Sequence, residues 1–233
     1  MILAIETATP VCSVALEAAD GRLHHKWGAK QGKHSEWLFM YIQELLDVQN
    51  IVVADLEAVL VSSGPGSYTG LRIAASAVKG LLFQSRVPLY KVNTLASYAL
   101  NVFLEHAPEP GTTIHCVIDA RRRHLYYQRF RAGTDRVVPE NEVSILELEH
   151  FPGIVGRKDL LVGTGTERLP EEVLDKVTAL PEQTIHAGGL AGWYHIMKDK
   201  EASDRLDKII EPVDVALFEP DYHTEHQTVK NKK

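Results

Sequence analysis

A short glycine-rich segment constrains the fold of this chain more than any other stretch of its sequence. Ser62–Arg72 reads Ser-Ser-Gly-Pro-Gly-Ser-Tyr-Thr-Gly-Leu-Arg, and it lies between the apolar runs Ala58–Val61 and Ile73–Leu82. That order predicts a buried strand, a tight turn and a helix. Three glycines and a proline let the backbone approach a neighbour closely. Ser67 or Thr69 can cap the helix, whose free N–H groups favour an anion.

This segment, called the glycine loop below, leaves two interpretations open. It lacks the Gly-Lys-Ser/Thr ending of a Walker sequence and the glycine spacing of a dinucleotide fingerprint. It is either a tight structural turn, or it shapes a region next to a nucleotide or a partner. The residues that would serve the second role are Glu6, Thr7, Ser63, Gly64, Pro65, Gly66, Ser67, Tyr68, Thr69, Gly70, Arg72 and Asp119.

Composition narrows the class of protein. The 233 residues are 45% hydrophobic and 24% charged, which is typical of a globular protein with ample core. A net charge of −6 argues against broad non-specific binding to phosphates but allows a local basic patch. Cys12 and Cys116 follow no metal or redox spacing, which suits a reducing compartment. Because we find neither a signal-peptide pattern nor an apolar run that could span a bilayer, we expect a cytoplasmic protein without membrane contacts.

The first half of the chain alternates between strand and helix patterns in the order βββαβαβα. The first strand ends at an acid, Glu6. The predicted strands are Ile2–Ile5, Val11–Glu17, Arg22–Gly28, Ala58–Val61 and Pro88–Val92. The predicted helices contain Trp37–Leu46, Ile73–Leu82 and Thr94–Glu105.

The second half repeats this opening in a shorter form. After the break at Ala107–Gly111, the apolar strand Ile114–Ile118 again ends at an acid, Asp119. Further predicted elements are strands at Leu125–Phe130, near Arg136 and at Leu160–Val162, a weaker glycine turn at Gly163–Gly165, and helices at Glu171–Thr178 and Gly188–Lys200. We therefore predict an α/β fold of the actin/sugar kinase/Hsp70 (ribonuclease H-like) class, with a duplicated βββαβα unit and an abbreviated second half. The expected domains are 1–106 and 107–218, followed by a polar, flexible tail at 219–233.

Several motifs resemble the bacterial TsaB family, also called YeaZ. They are Ile2–Thr9, Cys12–Leu16, Ser63–Arg72 and Asp119–Arg122, and the resemblance is close over residues 1–130 and thin afterwards. It implies a subunit of the machinery that attaches a threonylcarbamoyl group to N6 of adenosine 37, in tRNAs that read codons beginning with A.

The resemblance also implies the partners of such a subunit. They are a TsaD-like transferase paralogue and a TsaE-like ATPase, with a homodimer when the chain is alone and tRNA bound mainly through the complex. ATP or ADP and a divalent metal would belong to the partner subunits, so no tightly bound cofactor is expected here.

Two substitutions predict that this chain is not the transferase. The resemblance places an Asn-His-x-x-x-His pair of metal ligands of the paralogue on Asn93–Tyr98, where this chain has Thr94 and Tyr98. Neither side chain is a good neutral ligand for a transition metal. The alternative is a small-molecule, acetate-type kinase of the same superfamily with its own ATP site, but 139–233 shows no clear adenosine-binding segment.

Two surfaces are candidates for contact with other molecules. The TsaB resemblance implies that the first two helices pack against a partner, with Trp37 and Tyr41 as anchors. The predicted interface residues are His34, Trp37, Leu38, Tyr41, Ile42, Leu45, Ala74, Ala75, Val78 and Leu82. The basic run Arg121, Arg122 and Arg123 is either a solvated turn or a contact with tRNA phosphates.

Overall fold

The computed structural model describes residues 1–30, 32–199 and 208–222. The described chain forms two compact units, one made of Met1–Ser97 with His186–Asp221 and one made of Tyr98–Ile185 with Tyr222. Within the described ranges, no helix combines the length and the apolar character needed to cross a bilayer.

The order of elements follows the predicted alternation closely in the first half and less closely afterwards. The strands are β1 (Ile2–Glu6), β2 (Val11–Glu17), β3 (Leu23–Ala29), β4 (Ala58–Gly64), β5 (Leu89–Asn93), β6 (Thr113–Asp119), β7 (His124–Ala132), β8 (Val137–Pro139), β9 (Ser144–Glu147), β10 (Leu160–Val162), β11 (Thr178–Ala179) and β12 (Ile210–Val213). The helices are α1 (His34–Gln49), α2 (Tyr68–Leu81), α3 (Thr94–His106), α4 (Glu171–Leu174) and α5 (Gly188–Lys198).

The sheet of the first unit has the strand order β12-β5-β4-β1-β2-β3. Strands β1, β2 and β3 pair antiparallel as two hairpins, while β4 pairs parallel to β1 and β5 parallel to β4. Every residue of β1 and β4 is buried. Their apolar parts, Ile2–Ile5 and Ala58–Val61, form the centre of a sheet that is covered on both faces. Helices α1 and α2 pack on β2 and β4, and α5 packs on β1, β2 and β4. This is the predicted ribonuclease H-like arrangement.

The second sheet repeats the same connectivity with fewer residues. Its order is β11-β10-β6-β7-β8, in which β6, β7 and β8 pair antiparallel and β10 and β11 follow in parallel, so it matches β5-β4-β1-β2-β3 strand for strand. The turns after the equivalent strands β4 and β10 share an unusual backbone conformation, with φ of +126° at Gly64 and +127° at Gly163. The predicted duplication is therefore present in the topology.

Two predictions about the second half need correction. The predicted helix at Glu171–Thr178 is a single turn, Glu171–Leu174, and Thr178 belongs to a strand instead. The predicted domain 107–218 is too long at its end, since α5 packs on the first sheet and β12 pairs antiparallel with β5. At that sheet edge the missing N–H of Pro212 costs no ladder hydrogen bond.

The predicted start of a tail at residue 219 is wrong, because the chain is packed against the first unit on both sides of that residue. Phe218 is buried in the first core, and Asp221 is hydrogen-bonded to the end of β4. Of the predicted tail at 219–233, residues 223–233 lie outside the described part of the chain.

Candidate functional site

The glycine loop connects the end of β4 to the start of α2, as predicted. The peptide bond between Gly64 and Pro65 is cis. Ser67, one of the two predicted caps, holds this role: its Oγ accepts a hydrogen bond from Gly70 N at 3.2 Å. The side chain therefore takes up one of the N–H groups that a helix N-terminus could otherwise offer to an anion.

Backbone oxygens of the turn after β1 lie directly against two glycines of the loop. A Cβ atom on Gly66 would lie 2.3 Å from the Ala8 carbonyl oxygen, and one on Gly70 would lie 2.0 Å from the Thr7 carbonyl oxygen. Thr7 Oγ1 donates to Gly70 O at 2.9 Å, and Ser67 N donates to Ala8 O at 2.5 Å. Contact within the fold thus explains these two glycines, and the carbonyl oxygens beside them are unfavourable neighbours for a phosphate.

The third glycine is covered by Asp221, a residue that sequence reasoning missed. A Cβ atom on Gly64 would lie 2.5 Å from Asp221 O, and Asp221 N donates to Ser63 O at 2.7 Å. The Asp221 carboxylate accepts from Ser63 Oγ at 2.8 Å and pairs with Lys91 at 3.1 Å. No local pattern indicates this contact because Asp221 lies in a polar stretch far along the chain.

Glu6 is fully buried and poorly suited to hold a metal-bound phosphate. Its Oε1 accepts a hydrogen bond from Ala8 N at 2.6 Å, and Oε2 has no partner among the described residues. Burial raises the pKa of Glu6 to about 8, against the smaller opposing effects of the Ala8 amide and of Ser62. The Ser62 hydroxyl oxygen is buried and has no hydrogen-bond partner among the described residues. Near neutral pH the carboxyl group is therefore mostly protonated and carries no charge for a cation.

We expect Glu6→Gln to remove a strong pH dependence of folding stability. In the unfolded chain the group ionises near its ordinary pKa of 4.5, and in the folded chain only near 8. Its contribution is thus complete below the unfolded pKa and is lost as pH rises through the folded pKa. Glutamine mimics the protonated acid, so the stability difference should grow by about 1.4 kcal/mol per pH unit, or about 2 kcal/mol between pH 5.5 and pH 7. Urea unfolding of both proteins across this range measures it, and parallel profiles would contradict the assignment.

Asp119 is engaged within the second unit. Its carboxylate accepts a hydrogen bond from Arg121 N at 2.6 Å and forms an ion pair with Arg168. The residue ends β6 as Glu6 ends β1, as the sequence predicted. Both acids thus bind backbone amides, which agrees with the structural interpretation of these positions.

Thr94 and Tyr98, which stand where the resemblance places the metal ligands of the paralogue, are both completely buried. Thr94 Oγ1 accepts a hydrogen bond from Gly64 N at 3.1 Å and so fixes the glycine loop to the start of α3. Asn93 Oδ1 accepts from Ala96 N at 3.0 Å, which caps the same helix. Across 1–30, 32–199 and 208–222, no group of three or more His, Cys, Asp or Glu side chains is arranged to hold a metal ion.

Most of the predicted interface residues cover their own sheet within the first unit. His34 Nε2 donates to Thr9 O at 2.7 Å and thereby ties α1 to the turn before β2. Nine of the ten residues are buried, and Trp37 is half-buried. The nine are His34, Leu38, Tyr41, Ile42, Leu45, Ala74, Ala75, Val78 and Leu82. Periodicity identified the apolar face of each helix, and that face belongs to the core.

The two predicted aromatic anchors also pack within the unit. The Trp37 ring stacks on the Tyr41 ring at 6.0 Å and lies over Gly28 of β3, where a Cβ atom would come within 2.5 Å of it. Tyr41 Oη donates a long hydrogen bond to Trp27 O at 3.5 Å. Replacing both aromatic residues would therefore disturb the fold.

The outer faces of α1 and α2 differ from these buried faces. Phe39 and Met40, on α1, are 52% and 42% exposed. On α2, Ser76 is exposed, and a Cβ atom on Gly80 would meet nothing within 4 Å. Phe83, just beyond α2, is 76% exposed. This set, called the outer α1/α2 face below, combines large apolar side chains with small ones that allow close approach of another backbone.

The glycine loop also presents a polar edge at the start of α2. The guanidinium carbon of Arg72 lies 4.7 Å from the centre of the Tyr68 ring, and both residues are exposed. One turn of helix separates them, so this cation–π pair forms locally. Both side chains are accessible to a partner of this edge.

The predicted basic run forms the turn between β6 and β7. Arg121, Arg122 and Arg123 are all exposed, and the first two have φ of +70° and +53°. Arg123 pairs with Glu149, whereas the guanidinium groups of Arg121 and Arg122 have no ion-pair or hydrogen-bond partner among the described residues. The structure thus shows that Arg123 is paired and that, within the described part of the chain, Arg121 and Arg122 are not, a difference that the sequence does not indicate.

Comparisons with known proteins identify the family of this chain. Residues 29–225 match the family model described as TsaD, tRNA N6-adenosine threonylcarbamoyltransferase. The chain is 31% identical to the tRNA threonylcarbamoyladenosine biosynthesis protein TsaB of Escherichia coli K12, over 73% of this chain and 74% of that protein. Its identity to the TsaB protein of Bacillus subtilis 168 is 27%, over 87% and 89% of the two chains.

A solved structure extends the likeness to the whole fold. YeaZ from Pseudomonas aeruginosa superposes with a TM-score of 0.75 at 25% identity, over 95% of this chain and 99% of that one. The matched motifs, the duplicated sheets and these likenesses lead to one assignment. The chain belongs to the TsaB (YeaZ) family, within the broader group that the TsaD family model describes.

Proposed function

We propose that this chain is the non-catalytic partner of a TsaD-like transferase in threonylcarbamoyladenosine biosynthesis. The modification would be addition of a threonylcarbamoyl group to N6 of adenosine 37 in tRNAs that read codons beginning with A. The observation that carries the proposal is the similarity to TsaB proteins over most of the chain, because those proteins are named for this biosynthesis.

The proposed absence of catalysis is supported by the chemistry at two positions. Thr94 and Tyr98 stand where the paralogue is expected to hold its metal, and a neutral hydroxyl is a weak ligand for a transition metal. The Thr94 hydroxyl already accepts a hydrogen bond from Gly64 N, and the side chains of Thr94 and Tyr98 are both buried. In this proposal the metal and the nucleotide stay with the partner subunits, and the ATPase is a TsaE-like protein.

The outer α1/α2 face is the proposed contact with the transferase. Phe39 and Met40 offer apolar area that the unit's own core does not use, and Ser76 and Gly80 leave room for a second helix. A transferase with the same duplicated fold would present an equivalent helix pair, so the two pairs would meet about a pseudo-twofold axis. The same face would form a homodimer when the transferase is absent.

The kinase alternative finds little support in the glycine loop. A phosphate-binding loop needs free N–H groups and nearby positive charge, whereas carbonyl oxygens of Thr7, Ala8 and Asp221 lie against these three glycines. The buried Glu6 carboxyl group, with a pKa of about 8, would be a poor magnesium ligand.

A complementation assay tests the proposed function. The chain is expressed in Escherichia coli depleted of its own TsaB, together with its cognate TsaD-like protein, and threonylcarbamoyladenosine in bulk tRNA is quantified by mass spectrometry. We expect the modified nucleoside to return to most of its normal level. A level no higher than with an empty vector, despite soluble expression of both proteins, would contradict the proposal.

A further inference from the structure

The turn between β6 and β7 places two arginines in an unfavourable backbone conformation. Arg121 and Arg122 have φ of +70° and +53°, in the left-handed region that L-residues with a Cβ atom rarely adopt. The neighbouring bonds hold the turn in place: His124 N donates to Arg121 O at 3.2 Å, and Arg121 N donates to Asp119 Oδ1 at 2.6 Å. Non-glycine residues in such conformations tend to occur at functional sites.

The charges around the turn leave these two cations uncompensated. Three acids near the turn already face a basic side chain: Asp119 pairs with Arg168, Glu149 with Arg123, and Glu147 lies 3.9 Å from His124. Arg121 and Arg122 are exposed and have no such partner in the described part of the chain. Since the chain carries a net charge of −6, a concentration of unpaired positive charge at one turn is unusual for it.

We propose that Arg121 and Arg122 form a contact site for the phosphate backbone of tRNA. Guanidinium groups bind phosphate oxygens through paired N–H donors, and two adjacent arginines on a narrow turn can reach neighbouring phosphates. The proposal rests on the proposed function, which makes tRNA the polyanion that the complex meets. Arg123 is excluded from the site because Glu149 neutralises it.

The test measures RNA affinity for two double variants with the same loss of charge. Arg121→Gln with Arg122→Gln removes the unpaired cations, whereas Arg123→Gln with Arg136→Gln removes two exposed arginines that are paired with Glu149 and Asp135. The probe is an unmodified transcript of a tRNA that reads a codon beginning with A. Its binding to the purified full chain, alone and mixed with the TsaD-like protein, is followed by fluorescence anisotropy from about 50 mM to about 300 mM salt.

We expect the first double variant to bind about tenfold more weakly at low salt, and the slope of log affinity against log salt to flatten by about two. The matched control should stay within about twofold of the parent. Arg121→Lys with Arg122→Lys should keep most of the affinity because it keeps the charge. Arg121→Gly with Arg122→Gly should lose affinity like the glutamine variant yet unfold at a higher temperature, since glycine accepts a positive φ.

Two outcomes would overturn the site. One is an unchanged affinity and salt slope in the first variant. The other is an equal loss of affinity in both double variants, which would mean that RNA binding depends only on the total charge of the chain. If capture of the TsaD-like protein falls while RNA affinity does not, the turn contacts protein instead. Failure of the parent chain to restore tRNA modification would reject the proposed function separately, because RNA binding is measured without it.

Discussion

Replacing Gly70 by alanine is expected to lower the free energy of unfolding by about 4 kcal/mol and the melting temperature by about 10 °C. The new Cβ atom would lie 2.0 Å from the carbonyl oxygen of Thr7. Because this oxygen belongs to the backbone, no side-chain rotation can relieve the clash. Relief requires the turn after β1 to move away from α2, which breaks the hydrogen bond from Thr7 Oγ1 to Gly70 O. Overpacking usually costs about 1–3 kcal/mol and occasionally more, and a new contact with a backbone oxygen at this distance belongs to the costly cases.

Gly80 provides a matched control in the same helix. A Cβ atom there would meet nothing within 4 Å, so Gly80→Ala changes only the helix propensity. We expect it to stabilise the isolated chain by a few tenths to about 1 kcal/mol. Thermal and urea unfolding followed by circular dichroism measure both variants. A Gly70→Ala loss below about 1 kcal/mol would mean that the glycine loop is not clamped to the turn after β1.

Replacing Phe39 and Met40 together by glutamate should weaken association with the TsaD-like protein at least 100-fold, by about 3 kcal/mol or more. At a docked interface both side chains would be buried, so the change removes apolar contact and forces two carboxylates to lose their water. In the free chain the same side chains are 52% and 42% exposed. The melting temperature of the isolated variant should therefore stay within a few degrees of the parent's.

The control for this variant makes the same chemical change elsewhere. Leu104 and Leu217 are 61% and 79% exposed and lie outside α1 and α2. Leu104→Glu with Leu217→Glu should leave the affinity unchanged within about twofold. Affinity is measured by titration of the labelled chain with its partner. Equal weakening by both pairs, or unchanged affinity of the Phe39 and Met40 variant, would place the contact on another face.

Local patterns in the sequence predicted the first unit well. Ile2–Ile5 and Ala58–Val61 are apolar at every position because they form buried central strands, and such runs are easily recognised. The glycine loop predicted a strand, a turn and a capped helix, and Ser67 indeed caps α2. The repeat of an apolar strand ending in an acid predicted the duplication, which the strand order of the second sheet confirms.

Long-range contacts could not be predicted in this way. β12 contains Glu211 and Pro212 and reads as a weak strand, and only its pairing with β5 shows that it belongs to the first unit. The contact of Asp221 with Ser63 joins segments that are far apart in sequence. Helical periodicity likewise shows that Leu38 and Ile42 are buried but cannot tell whether a sheet or a partner covers them.

The most direct test of the central claim is the rate of threonylcarbamoyl transfer to a tRNA transcript in vitro. The assay supplies the threonylcarbamoyl-adenylate donor, the TsaE-like ATPase and ATP, and compares this chain alone, the TsaD-like protein alone, and both together. A non-catalytic partner predicts no product with this chain alone, little with the TsaD-like protein alone and multiple turnovers only with both. Product formed by this chain without the TsaD-like protein, or equal rates with and without this chain, would contradict the account.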